Sequence, residues 1–371
     1  MQPPKPISFF NTYIAPSAEK RVADTLRSTM LSEGAQVKEF EATLTTKLGL
    51  VNPTAVNSGT SALHLALMLA GVGPGDEVIL PAQTFVASGL VITACGAKPV
   101  FADIEYETGN IDTTRIEEKI TPRTKAIMTV DWGGLPADLG AIQEIAKAHD
   151  LKVIEDSAHA LGARYQGKQI GSIADYTCFS FQAIKHVTTG DGGAVCALDT
   201  ERAHEARTLR WFGIDRDTAM QTELGERSYD ISTTGYKYHL NDYSAALGLA
   251  NLGTFPERLA ARRNIAARYR DALASIPGII LFASPEDRES AYWVFGFHVE
   301  RRSDFIRTMK ERGIPTSVVH LGIDHNSLFG GKDTSLTNQR KFDETQIHIP
   351  IHDALDEAQI GYIIQAIQKG W

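Results

Sequence analysis

The stretch VIEDSAHALGA, residues 153–163, decides the fold. Two apolar, strand-favouring residues, Val153 and Ile154, end abruptly in Glu155–Asp156, and a small-residue turn follows. The pattern reads as a short strand, Val153–Glu155, whose carboxyl end presents an acid. In open sheets of parallel strands, ligands bind outside that end. A carboxylate held there is costly unless a cation or hydrogen bonds meet it. A protonated ring nitrogen would be such a partner, and a simple acid cap on the next turn is the plainer alternative. His159 follows three residues on and faces the same end.

Similar short apolar runs recur on both sides: Val78–Leu80, Pro99–Asp103, Ala126–Val130, Thr177–Phe181 and Ala194–Ala197. They are continuously apolar rather than alternating, as strands covered on both faces are. Helical patterns such as Ser61–Ala70 and Leu139–His149 lie between them. Alternating strands and helices predict an α/β domain with a mostly parallel sheet. A long helical stretch, 242–275, is interrupted near Pro256. Beyond it the pattern changes. YWVFGFHVE (292–300) reads as a strand and Ser303–Arg312 as a helix capped by its serine. A polar, glycine-rich loop fills 322–338, and a final helix runs near Asp356–Gln368. The expected division is a large domain over 1–276, including an amino-terminal arm and the long helix, and a small α+β domain over 277–371.

With 371 residues, two domains are a reasonable count. Apolar residues make up 43% and charged residues 22%, an ordinary globular balance, with a net charge of −8. No basic run argues for nucleic acid as a partner. Val78–Ala97 is uncharged and long enough to be weighed as a membrane span, but Pro81, Gln83 and Gly89 fit a strand, turn and packed helix better. The start, MQPPKPISFFNTY, has no apolar core of a secretory leader. Cys95, Cys178 and Cys196 form no CxxC pair and read as buried thiols in a reducing cytoplasm. No metal-ligand spacing and no GxGxxG opening a helix occurs; HIPIH (348–352) reads as a strand. GVGPG (71–75) is a helix stop.

Two further stretches can carry chemistry. VNSGTSALHLAL (56–67) opens an amphipathic helix with small polar residues. Its free N–H groups and the Thr60 and Ser61 hydroxyls suit a phosphate, or form a plain helix cap. SFQAIKHVTTGDGG (180–193) places Lys185 after a strand and before glycines. There it is either an exposed loop lysine or an amine nucleophile of lowered pKa. An anion seat, an acid at a strand end and a lysine together suit pyridoxal 5′-phosphate (PLP). That cofactor needs an amine for its aldehyde, an acid for its ring nitrogen and a seat for its phosphate.

These stretches resemble the DegT-type family of PLP-dependent sugar aminotransferases, within the fold-type I group. LSEGAQVKEFE (31–41), PGDEVILPAQTFVAS (74–88) and GYKYHLNDYSAALGLANL (235–252) extend the resemblance in the family's order over nearly the whole chain. The resemblance implies roles. Lys185 matches the lysine that bonds the cofactor, and Asp156 the acid that pairs with its ring nitrogen. Gly59, Thr60 and Ser180 match phosphate contacts, and Phe85 the aromatic that stacks on the ring. His159 stands where many members have glutamine. Asn241 matches a residue that reaches the phosphate from a partner subunit, which implies a homodimer with shared active sites.

The implied reaction passes an amino group from L-glutamate to a keto-deoxysugar, nucleotide-linked, for glycan or lipopolysaccharide synthesis. Alternatives are a keto sugar acid or cyclitol as acceptor, a PLP sugar dehydratase, or a regulator without turnover. The dehydratases carry histidine at the lysine position, so Lys185 speaks against that reading. Four features depart from the family pattern. They are His186, RWFGIDR (210–216), the loop SVVHLGIDHNSLFGG (317–331), and the absence of an arginine marked for the donor carboxylate. In the 317–331 loop, His320, Asp324 and His325 are the candidate sugar contacts.

Overall fold

The computed structural model describes Pro3 and residues 5–371. Met1, Gln2 and Pro4, part of the stretch read for a leader, lie outside the described residues. A seven-stranded sheet organises the first two hundred positions. Its strands, in chain order, are β1 Pro53–Val56, β2 Glu77–Pro81, β3 Lys98–Ala102, β4 Thr124–Val130, β5 Lys152–Asp156, β6 Tyr176–Ser180 and β7 Gly193–Ala197. Their spatial order is β1-β7-β6-β5-β4-β2-β3. The ladders from β6 to β3 are parallel. Only β7 runs the other way, antiparallel to both β1 and β6.

Side chains alternate between the two faces of a strand. Cys178 and Phe179, adjacent on β6, therefore enter different cores. Cys178 joins Leu65, Ile154 and Val195, while Phe179 joins Phe40, Leu50 and Ala194. Each fully buried large side chain contributes about 1.5–3 kcal/mol relative to leaving it exposed. The strands predicted for this sheet fall within two residues of their observed bounds, whereas 292–300 narrows to Phe295–Val299 and 348–352 shifts to Gln346–Ile349. β1 was not anticipated: it is four residues long and carries Thr54, so it offers little apolar pattern.

The long helical stretch is two helices, Asp242–Leu252 and Phe255–Leu273, with Pro256 in the first turn of the second. A proline's missing N–H costs nothing there. A second sheet, β8 Ile279–Leu281, β9 Phe295–Val299 and β10 Gln346–Ile349, is antiparallel with β9 central. Phe297, Phe305, Met309 and Ile363 form its core with Tyr269 of the preceding helix. The helix expected to start at a Ser303 cap starts at Arg302 instead. Its cap position is Arg301, at φ 48 and with no capping side chain, because the chain leaves β9 through a left-handed turn. The last helix, Glu357–Gln368, has a capping box between Asp356 and Gln359. Cys178 and Cys196 are buried as expected, but Cys95 is only half-buried. Among the described residues, no helix is long and apolar enough to cross a membrane and no group of side chains is placed to hold a metal.

Two buried polar contacts fasten the chain before the sheet onto the sheet. The Asp242 carboxylate accepts from the N–H groups of Gly34 (2.8 Å) and Val37 (3.0 Å), supplying the cap that Gly34 cannot give to helix Ala35–Leu48. Arg210 donates to Glu33 (2.8 Å), Glu41 (2.5 Å) and the Ala55 carbonyl (2.7 Å). Removing one partner of a buried ion cluster leaves charge uncompensated. Arg210→Met is expected to lower the stability measured by denaturant unfolding by about 3 kcal/mol. An unchanged midpoint would contradict that reading of RWFGIDR.

Candidate active site

The carboxyl ends of β4, β5 and β6 open onto a cavity of about 400 Å³. Helices Gly59–Leu69 and Val86–Ala94 both start at its rim. It is the place the strand order predicts for a ligand.

Asp156 ends β5 and lines this cavity, while Glu155 faces the other side of the sheet. The Glu155 carboxyl accepts from the Thr177 hydroxyl (2.9 Å), and burial pushes the pKa values of Glu155 and Asp131 up. Asp156 is buried. It accepts from the Ser88 hydroxyl (2.8 Å) and the Ala158 N–H (3.2 Å). Burial raises its pKa; those two donors and the Lys185 ammonium pull it back. The acid therefore sits ready to hold a cation or a protonated nitrogen.

Lys185 lines the same cavity. Burial lowers its pKa to about 7, with Asp156 pulling the other way. Its Nζ lies 3.8 Å from the centre of the Trp293 ring. Its neighbour His186 turns away from the cavity: Nε2 donates to the Ala291 carbonyl (2.8 Å), and burial holds the ring neutral. The departure at His186 is thus a staple between two segments.

At the other end of the cavity stands the mouth of helix Gly59–Leu69. Ser58 caps it by accepting from the Ser61 N–H (3.0 Å). The Ser61 hydroxyl donates to Asn57 (2.6 Å), so it is engaged within the turn. Gly59, Thr60 and Ser180 line the cavity. The first N–H groups of a helix have no partner within it, which favours an anion at this mouth. Gly59 is needed here, since a Cβ on it would lie 2.9 Å from Ser180 Cβ. Phe85 keeps 53% of its surface exposed and lines the cavity from the start of helix Val86–Ala94.

His159 is buried, with Nδ1 lacking any hydrogen-bond partner, and burial keeps the ring neutral. An unsatisfied buried nitrogen beside a cavity is what a ligand oxygen would satisfy. His320 also lines the cavity, its pKa lowered to about 4 by burial. The other two candidate sugar contacts do not. Asp324 is fully buried and bound by Arg340 (2.7 Å) and the Asp333 N–H (2.9 Å), pinning its loop. The His325 ring bonds the Gly322 carbonyl. Asn241 donates to the Tyr243 hydroxyl (3.0 Å) and faces a separate surface pocket.

Two residues at the site carried no readable signal. Trp293 lay inside what reads as a plain strand, and Phe10 inside the amino-terminal arm. Ser88 could have been suspected as a polar residue in an uncharged run.

The comparisons with known proteins bear on this arrangement. Residues 13–368 match the model of the DegT/DnrJ/EryC1/StrS aminotransferase family. The chain belongs to that family. GDP-perosamine synthase of Caulobacter vibrioides is 35% identical over 94% of both chains. The UDP-4-amino-4-deoxy-L-arabinose–oxoglutarate aminotransferase of Shewanella sediminis is 33% identical, again over 94% of each. Among solved structures, Spr1654 from Streptococcus pneumoniae in its PMP-form superposes with a TM-score of 0.92 at 33% identity, covering 98% of each chain. It was also solved in a PLP-form.

The protein is thus a fold-type I, PLP-dependent aminotransferase. The residues present fit the cofactor. They offer a helix mouth for phosphate, a buried acid for the ring nitrogen, an amine, and the His159 ring in the same lining with one nitrogen unsatisfied. Two outcomes follow. Gly59→Val should weaken PLP binding at least about tenfold, read by titrating the visible band, because the added side chain fills the anion seat. Unchanged affinity would put the phosphate elsewhere. In chain freed of cofactor, the Lys185 amine should acylate with a midpoint near pH 7, against about 10.4 for an ordinary lysine. Below pH 7 the amine is charged and unreactive; above it, free.

Proposed function

We propose that this aminotransferase moves an amino group from L-glutamate to a nucleotide-linked keto-deoxysugar. The observation that carries the residue roles is one cavity holding Lys185, its pKa lowered to about 7, together with Asp156 and the Gly59 helix mouth. The acceptor class rests on the GDP- and UDP-sugar names of the relatives, and the donor on the oxoglutarate in one of them.

Bound PLP supplies an electron sink for the charge that develops at the reacting carbon. Asp156 holds the proton on the ring nitrogen, which keeps that sink effective. Gly59, Thr60 and Ser180 hold the phosphate. Phe85 covers one face of the ring, and His159 hydrogen-bonds an oxygen on it. The Lys185 amine bonds the aldehyde carbon at rest. Displaced by the donor's amine, Nζ would take the proton from the donor's α-carbon and return it across the nitrogen to the carbon that had carried the lysine, as a general base and then acid. Keto-sugar amination is the same sequence reversed, so the kinetics are ping-pong. His320, neutral at working pH, is placed to hydrogen-bond the sugar. Asn241 reaches the phosphate of a second copy, making a homodimer with shared sites. Residues 1–276 are taken as the cofactor domain and 277–371 as a small domain, whose core around β9 is completed by Ile265, Tyr269 and Leu273 of the preceding helix.

Purified enzyme should absorb in the visible, L-glutamate should bleach that band, and a GDP-, dTDP- or UDP-linked 4-keto sugar should restore it. No bleaching with L-glutamate would overturn the donor, and no recovery with any of the three the acceptor class. Lys185→Ala should lower turnover about a thousandfold or more. Full activity would disprove its role.

A further inference from the structure

Trp293 is 1% exposed and touches each part of the lysine's surroundings. Its Nε1 donates to the Ile184 carbonyl (3.0 Å), one residue before Lys185. The ring of His159 stacks on it at 3.8 Å and 12°, and that of Phe10 at 5.2 Å and 25°. Two residues earlier, the Ala291 carbonyl takes the His186 Nε2 hydrogen bond, one residue after Lys185. The Lys185 turn is therefore fastened on both sides to 291–293. That segment is itself fixed: Ala291 N–H donates to the Gly134 carbonyl (2.9 Å) and Tyr292 N–H to the Ser290 hydroxyl (3.0 Å). Tyr292 adopts φ 47, a left-handed conformation unusual for a bulky residue. Strain of this kind persists where the surroundings over-determine it, and it clusters at working sites. Here it turns the chain so that Trp293 enters the cavity wall.

We propose that Trp293 is the dock for the ammonium form of Lys185, holding the protonated nitrogen beside the cavity when it is not bonded to the cofactor. The proposal rests on Lys185 as the cofactor-bonding amine. A lysine has four rotatable bonds and, once released, would leave the reacting carbon unless something held it. Positioning a catalytic group is worth a large part of its effect. The face of an indole attracts an ammonium without a hydrogen bond that must be broken for Nζ to move. The other titratable groups facing Lys185 are Asp156 at the end of β5, His159 just beyond it, His186 beside it and His320 across the cavity. Burial keeps the three histidines neutral, so Asp156 and Trp293 are what favour the ammonium. Trp293 is a positioning residue: it acts through Lys185.

The test compares W293L, which loses the ring face, with W293F, which keeps a face and loses only the Nε1 hydrogen bond. Full-length chain freed of cofactor is acylated with acetic anhydride across pH, and the Lys185 peptide is quantified by mass spectrometry. The W293L midpoint should fall by about one pH unit below wild type, and the W293F midpoint should stay within a few tenths. In the holoenzyme, bleaching by L-glutamate should slow about tenfold in W293L at unchanged L-glutamate affinity, and less than threefold in W293F. Equal midpoints in wild type and W293L would overturn the proposal. So would equal shifts in both variants, which would assign the effect to the Ile184 contact. Thermal unfolding checks that each variant folds; if W293L does not, W293M takes its place with the same expectations. The titration does not require turnover, so it stands apart from the Lys185→Ala result that judges the amine itself.

Discussion

Asp156 is an acid removed from water at the end of a buried strand, and the site is built around meeting the cost of that burial. An isolated carboxylate there would simply take up a proton. Ser88 reaches it from helix Val86–Ala94, the Ala158 N–H from the turn after β5, and Lys185 from the turn after β6. Each donor comes from a different connection at the same sheet edge. The parallel order of β4, β5 and β6 is what brings those connections together. The acid's remaining capacity for a positive partner then defines where a protonated ring nitrogen fits.

Charge around the cavity is sparse, and this sharpens the pairing. Burial pushes the pKa values of Asp131 and Glu155 up, which favours their neutral forms and lightens the negative charge beside Asp156. His159, His186 and His320 are all held neutral by burial. What remains facing the cavity is uncharged, with Phe10, Phe85 and Trp293 the largest side chains, apart from the exposed carboxylate of Asp191. In such a setting one lysine and one carboxylate dominate the field, because neither is diluted by competing ions or by much water.

The central sheet was legible because strands covered on both faces must be apolar throughout, and five interior runs are. β1 was not, because four residues with a threonine carry no period. The acid and lysine were legible as a pair, since each has an alternative reading alone. The contacts around them, His186 to Ala291 and His159 to Trp293, were not, because they join residues 105 and 134 positions apart, and no local spacing encodes that. Asp324 illustrates the opposite error. A polar, glycine-rich loop looks solvated, yet the Asp324 carboxylate is fully buried and paired with Arg340, 16 residues further on. Ser303 misled for a local reason: a left-handed residue at 301 moved the helix start by one position.

The reversed direction of β7 has a consequence for how this enzyme could change. Because β6 and β7 are antiparallel neighbours, the segment bearing Lys185 leaves and re-enters the sheet at the same edge, with Ser180 opposite Gly193. A helical crossover can slide to absorb an inserted residue; a segment with both ends locked in one ladder cannot. The span 181–192 therefore behaves as a cassette of fixed length. Exchanging it with a relative's would succeed only if the segment around Ala291 and Trp293 travelled with it, since that is the other half of its lock.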